Sequence, residues 1–416
     1  MKLLATCAAS VFLSTFSHFP TRVTASPPEA FSRWEAFVPS RLKSQDEYPG
    51  PEETRLQVTT PVSRIVYQRS NTNQAVIPVR GTCPGKTTSI EARLVARAPG
   101  QGVTTAWMPV GGPPSNGTFS GTVNGQGGWY NLEVRAKTGK SVAAPAVVER
   151  VGIGEVFIAV GHSVAQGGDT NLEGATDDRV SVVAVDEKQA RFDAYLKTGD
   201  PRYLPEPVFV PAATGVAPAP FAHGAYFWSK FAERVAQREN VPVLLYNAAF
   251  GGTSLEHWAK SAQNIPFEHG FVRSAIRMPY VNLLNTFKKY IPLTGLRALL
   301  ADQGANDWTE KEEERIFRNY QLFIQQARQD LGYPELALVV NRHTTNAPSV
   351  VRSVQDRMAK EPHCFPGPDY DALAKEDRYD GIHLSETGAT KAAQLWAAAL
   401  TPAFFEASKP WQPAWK

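Results

Sequence analysis

The chain has 416 residues, of which 43 are Lys or Arg and 40 are Asp or Glu, leaving a formal net charge of only +3. Without blocks of Lys or Arg, that balance excludes the electrostatic footprint of a nucleic-acid binder. Three cysteines are too few for a disulfide-built scaffold, so a hydrophobic core must hold the fold, and the length suits two domains.

The first residues read as an export signal. Lys2 supplies a positive charge, an apolar run extends from Leu3 to about Phe16, and Val23-Thr24-Ala25 has the small residues of a cleavage site. The run is too short, and too interrupted by Ser and Thr, to span a bilayer, and no later stretch approaches that length. The expectation is a signal peptide over 1–25 and a secreted or periplasmic protein with no membrane span after its removal. An uncleaved anchor is the alternative. Cys83 and Cys364 then remain, either as a disulfide or as buried thiols. Residues 26–60 are polar and aperiodic, a linker or a wrap.

From about Pro61 the texture changes to short alternating runs. Ile90 to Arg97 and Trp129 to Ala136 alternate apolar and polar positions, the period of half-buried strands. Asn116-Gly117, Asn124-Gly125 and Thr138-Gly139 are pairs that supply the positive φ of hairpin turns. The spacing predicts a small β-sandwich over 61–150. Its aromatics, Trp107, Phe119, Trp129 and Tyr130, either fill its core or stack on sugars.

After Val151, strand candidates alternate with amphipathic helices. The strands are Val241 to Ala248, Leu296 to Ala301 and Leu336 to Val340. The helices are Ala225 to Gln237, Tyr280 to Tyr290, Glu310 to Asp330, Pro348 to Lys360 and Ser385 to Ala407. Such alternation predicts an α/β fold, with a mainly parallel sheet between two helical layers over 151–409 and a short tail at 410–416. Gly167 to His223 breaks the rhythm with Pro201, Pro205, Pro207, Pro211, Pro218 and Pro220. It reads as a long excursion over the active face.

Four stretches in this half carry chemistry. In Gly154 to Ser163 an apolar strand ends in Gly161-His162-Ser163, lifting a hydroxyl off the carboxyl end of a buried strand, where open α/β sheets place ligands. Asn247 to Ser254 follows a strand, and its paired Gly251-Gly252 lets the backbone aim an N–H at a ligand. Gln303 to Trp308 follows another, and Asn306 offers the neutral amide wanted where negative charge develops. In Asp380-Gly381-Ile382-His383 the carboxylate can orient one imidazole nitrogen while the other faces a nucleophile. Each has a plain alternative: a capping serine, a tight turn, a core tryptophan, a surface histidine. In a parallel sheet, though, all four converge on one edge, and together they supply acyl transfer to water. No CxxC pair, HExxH helix or histidine-rich tract appears, so nothing in the sequence requires a metal or other cofactor.

Gly161-x-Ser163, Gly252, Asn306 and Asp380-x-x-His383, in that order, resemble the four blocks of the SGNH (GDSL-type) hydrolases. Glu155-Val156 and Gly251-Gly252-Thr253-Ser254-Leu255-Glu256-His257-Trp258 are closer to the carbohydrate-esterase, sialate O-acetylesterase-like branch. The resemblance implies a flavodoxin-like three-layer α/β/α domain with Ser163 as nucleophile, His383 as base and Asp380 as its partner. Ser163 N–H, Gly252 N–H and the Asn306 side chain would form the oxyanion hole, and an acylated carbohydrate would be the substrate. His162, Gln303, Glu256, Trp258 and Trp308 are the candidates for touching it. The sequence departs from the pattern at His162, where relatives show Asp or Gln. An α/β-hydrolase also runs Ser, Asp, His, but Ser163 lacks the Gly-x-Ser-x-Gly frame. A lipase or thioesterase of the same fold, and a non-catalytic glycan-binding protein with a degenerate hydrolase domain, remain open.

Overall fold

A computed structural model describes residues 55–168, 172–344 and 350–415, all within one compact unit, Pro51–Lys416. The expected signal peptide and most of the linker lie outside the described residues.

The centre is a sheet in the order Phe209–Pro211, Val180–Val185, Val243–Asn247, Ala146–Gly161, Ala298–Asp302, Ala337–Arg342, Cys364–Asp369. Only the first pair is antiparallel; every other neighbouring pair along this path is parallel. Side chains on these strands alternate between two clusters. Val156, Ile158 and Val160 join one cluster with residues of helices Leu255–Ala262, Tyr280–Lys289, Glu313–Leu331 and Val350–Met358. Phe157 and Ala159 join the other, with Trp228, Phe231 and Trp396 from helices Tyr226–Glu239 and Glu386–Ala399. A sheet covered on both faces needs continuous apolar strands, which is the pattern these segments have.

The long strand Ala146–Gly161 crosses the expected boundary at Val151 without a break. Up to Arg150 its burial alternates, and from Val151 onward every residue is buried. Its first half pairs antiparallel with Gly128–Thr138, through an irregularity between Tyr130 and Leu132, and its second half pairs in parallel within the central sheet. Before it, Gln57–Thr60, Gln74–Thr82 and Thr118–Gln126 form a separate antiparallel sheet. Trp129, Tyr130 and Phe119 are buried, and the guanidinium groups of Arg93 and Arg135 both lie over the Trp107 ring. Asn116-Gly117 has the positive φ of a turn, as does Gly139. Asn124-Gly125 instead lies inside a strand, where a Cβ on the glycine would come within 2.4 Å of Leu94.

The elements depart from the expected ones in places. The excursion Gly167 to His223 contains a central parallel strand, Val180–Val185, and a helix, Ala190–Thr198. The β-branched run Val-Ser-Val-Val-Ala-Val outweighs the prolines around it. Cys364–Asp369 is a strand despite Pro366 and Pro368, which an edge position tolerates. The last helix stops at Ala399 and restarts as Pro402–Ala407, because a proline cannot continue the hydrogen-bond ladder. Cys83 and Cys364 are buried free thiols, so the disulfide alternative falls.

A buried charge cluster joins the early strands to the sheet. The Glu155 carboxylate, inaccessible to solvent, accepts from Arg297 Nε at 2.8 Å, Arg69 Nε at 2.6 Å and Gln68 Nε2 at 2.9 Å. Burial would raise its pKa, but the two guanidinium groups win and hold it below the usual carboxylate range. Its contribution to stability is therefore full above the ordinary carboxylate pKa and is lost as pH falls through the folded value. Glu155→Ala strips the buried Arg297 of its carboxylate and leaves Arg69 only Glu239, and we expect it to cost about 3–5 kcal/mol in urea unfolding at neutral pH. A loss under 1 kcal/mol would show that the cluster is not a structural anchor.

Candidate active site

The strand Ala146–Gly161 ends at Gly161 with φ 138, where a Cβ would sit 1.9 Å from the Asp302 carbonyl oxygen. Only glycine allows the two strand ends to come this close. The chain then turns, and Ser163 opens the short helix Ser163–Gln166, with His162 Nδ1 accepting from Val164 N–H at 3.3 Å. The helix is held from below. Ala165 C=O accepts from Trp228 Nε1 at 2.6 Å and from Asn247 Nδ2 at 2.8 Å. Gln166 Oε1 accepts from Gly251 N–H at 2.6 Å, which presses the glycine pair against the serine. A Cβ at Gly251 would lie 3.3 Å from Ser163 Cβ.

Ser163 Oγ lies 2.7 Å from His383 Nε2, and His383 Nδ1 lies 2.6 Å from Asp380 Oδ2. The other Asp380 oxygen accepts from the N–H groups of Ile382 and His383 at 2.9 and 2.7 Å. Burial opposes the charge of Asp380, but the imidazole and the two backbone donors outweigh it and bring its pKa down to about 2. An ionised carboxylate can only accept, so the proton sits on Nδ1 and Nε2 is free to accept from the serine. The arrangement can activate a hydroxyl for attack.

A second polar chain lies behind the first. His343 Nδ1 is 2.7 Å from Asp302 Oδ1, and His343 Nε2 is 3.2 Å from Arg378 Nη1. Arg378 also donates to Ile382 C=O at 2.6 Å and to Tyr370 C=O at 2.8 Å, so it braces the backbone next to His383. His162, Asp302 and His343 bring ligand atoms within 4.8 Å of one another, the spacing of a possible metal site. The His343 nitrogens are already engaged by Asp302 and by the Arg378 cation, so the set fits a hydrogen-bonded network better than a cation. Burial pushes the His162 imidazole down to about 3, against the pull of Asp302, so a neutral ring caps the serine helix.

The third block supports the second. Gln303 Nε2 and Asn306 Nδ2 both donate to Thr253 C=O at 3.0 Å, fixing the turn that carries Gly252. Asp307 accepts from Leu255 N–H at 2.9 Å, capping helix Leu255–Ala262. Burial pushes the Asp307 carboxyl up to about 7.

A cleft of about 560 Å³ opens at Ser163 and His383, and Gly251, Gly252, Phe250 and Tyr379 are among its walls. None of the five residues expected to touch substrate lines it. His162 is fully buried under the serine helix, and Gln303 is buried on Thr253. Trp258 is buried, donates to Thr253 Oγ1 and packs edge-on against Phe323. Glu256 pairs with Lys260 along its own helix, and Trp308 is exposed and is not among the lining residues. The residues that do line it come largely from the segment read as an excursion: Glu187, Phe192, Leu196, Phe221 and His223. Phe271, from the loop before Tyr280, and Tyr379, beside Asp380, were also missed. The excursion over the active face was the signal for the residues between Gly167 and His223, and adjacency to the fourth block was the signal for Tyr379.

The family model for carbohydrate esterase, sialic acid-specific acetylesterase, matches residues 154–401. The chain belongs to that family and is a carboxylic ester hydrolase of the acetylesterase class. No curated protein matches the sequence. Among solved structures, a carbohydrate acetylesterase from Xanthomonas citri is 15% identical, covers 82% of this chain and 73% of its own, and has a TM-score of 0.46. An Arabidopsis thaliana protein is 15% identical over 59% of this chain and 97% of its own, with a TM-score of 0.40. NanS is 11% identical over 61% and 98%, with a TM-score of 0.42.

A carboxyl whose folded pKa lies above its unfolded value favours folding while protonated. For Asp307 that contribution is full below 3.8 and is lost as pH rises through about 7. We expect Asp307→Asn, which mimics the protonated form, to flatten the decline of stability across that window in thermal unfolding. An identical pH dependence in variant and wild type would contradict it.

Proposed function

We propose that this protein is an exported serine esterase that removes acetyl groups from carbohydrates through a Ser163–His383–Asp380 triad. The observation that carries the reading is the unbroken hydrogen-bonded chain from Ser163 Oγ through His383 to Asp380, at 2.7 and 2.6 Å. Family membership supports the acetyl group and the carbohydrate. Lys2, the apolar run to Phe16 and Val23-Thr24-Ala25 support export. The strands over 61–150 are read as a β-sandwich that positions the catalytic half.

In this mechanism His383 Nε2 takes the Ser163 proton as Oγ attacks the acetyl carbonyl, and Asp380 stabilises the resulting imidazolium. The oxyanion is received by Ser163 N–H, Gly252 N–H and the second hydrogen of Asn306 Nδ2, whose first is spent on Thr253. The imidazolium returns its proton to the departing sugar oxygen. Water then attacks the acetyl-serine, with His383 again as base, releasing acetate.

Ser163→Ala should abolish hydrolysis of 4-nitrophenyl acetate and of acetylated sugars, and His383→Ala should come close to matching it. Asn306→Ala should lower kcat by on the order of 10²–10³ with little change in KM. A raised KM with unchanged kcat would reduce Asn306 to the prop for Thr253 seen in the fold. Faster cleavage of long-chain lipid esters than of acetylated sugars would overturn the substrate assignment.

A further inference from the structure

The charge of the cleft bears on which sugar it takes. A carboxylate-bearing sugar is ordinarily gripped by a guanidinium fork or an ammonium group. Among the described residues lining the cleft there is neither Arg nor Lys. Among the described residues lining it, the acidic or basic side chains beyond the catalytic histidine are Glu187 and His223, whose Nδ1 is hydrogen-bonded to Glu187 Oε1. A sugar carboxylate entering here would meet the Glu187 carboxylate, which already holds His223 through Nδ1.

Three arginines on neighbouring elements are committed elsewhere, while Arg273 and Lys188, exposed near Phe271 and Glu187 in the chain, are not among the residues lining the cleft. Arg378 is buried on His343, Ile382 and Tyr370. Arg191, one residue before Phe192, donates to the carbonyls of Tyr203 and Leu204 and pairs with Glu206. Arg277 donates to the carbonyls of Ser261 and Ala262.

Beside Glu187, the cleft presents exposed aromatic surface. Phe271 is 64% exposed and Tyr379 is 51% exposed, and both line it with Ser163. Behind Phe271 runs a stacked series, Phe250 on Phe221 at 4.7 Å and Phe221 on Phe192 at 5.3 Å. Exposed rings of this kind offer flat apolar surface to the C–H face of a neutral sugar ring.

We propose that the ester taken at Ser163 is that of an uncharged saccharide, and that Glu187 selects against sugars carrying a carboxylate. This rests on the reading of Ser163 as the esterase nucleophile. Sialic acid, the anionic sugar in the family's description, is then a poor substrate for this chain.

The test compares kcat/KM for three esters: 4-nitrophenyl acetate, an acetylated xylo-oligosaccharide and O-acetylated N-acetylneuraminic acid. The neutral sugar ester should exceed the sialate by about 10-fold or more. Glu187→Gln should raise the sialate-to-neutral ratio about 5-fold, the weight of one like charge a few ångströms away in a water-filled cleft. That gain should shrink at high salt. Equal or preferred cleavage of the sialate, or a ratio that Glu187→Gln does not move, overturns the proposal. So does cleavage of 4-nitrophenyl acetate with neither sugar ester turned over, which leaves the esterase reading standing. Failure of all three esters overturns that reading, and this proposal with it.

Discussion

Everything at the site depends on how two parallel strands end together. Gly161 is in register with Asp302, and the absence of a side chain at Gly161 is what lets the neighbouring backbone close to that distance. The chain leaving each strand must then turn over the same edge of the sheet. One turn delivers Ser163, the next strand over delivers Gly251 and Gly252, and the one on the other side delivers Gln303 and Asn306. Helix contacts set the remaining freedom, with Asn247 and Trp228 pinning the serine helix and Gln166 tying it to Gly251. The placement of Ser163, the glycine pair and Asn306 is thus set by sheet register, while Asp380 and His383 come from a loop held separately.

Buried charge reinforces the same frame at both ends of the central strands. Toward their amino ends, Glu155 gathers Arg69 and Arg297, so the early strands cannot separate from the sheet without exposing or unpairing ions. Toward their carboxyl ends, Asp302, His343 and Arg378 pass from the sheet to the carbonyl of Ile382, beside His383. A histidine on a loop with two exposed neighbours, Tyr379 and Asp380, is in this way braced from the protein interior. His162 belongs to this inner layer. Neutral and buried, it caps the serine helix.

The strands and helices were legible wherever burial on both faces imposed unbroken apolar runs, as in Val243–Asn247 and Ala298–Asp302. Val180–Val185 was hidden by the prolines around it, and Cys364–Asp369 by prolines within it that only an edge strand accepts. The switch in patterning near Val151 is real as a change of burial, but one strand carries it, and backbone continuity leaves no mark on side-chain period. The four blocks could be read because their chemistry is local: Asp380 and His383 are three residues apart, and Ser163 follows its glycine. The cleft walls could not be read, because Phe192, Phe221, Phe250 and Phe271 meet only through long-range packing. Trp258 and Trp308 drew attention by standing near the blocks in sequence, whereas one is buried in the core and the other is exposed outside the lining of the cleft.

The central claim is that Ser163, primed by His383, is the nucleophile. Its most direct measurement is covalent: treat the protein with a 4-nitrophenyl phosphonate, digest it, and locate the added mass. The account predicts one adduct per chain, on Ser163, formed in step with loss of esterase activity and strongly slowed in His383→Ala. An adduct on another residue, or full activity in chains labelled at Ser163, would contradict it.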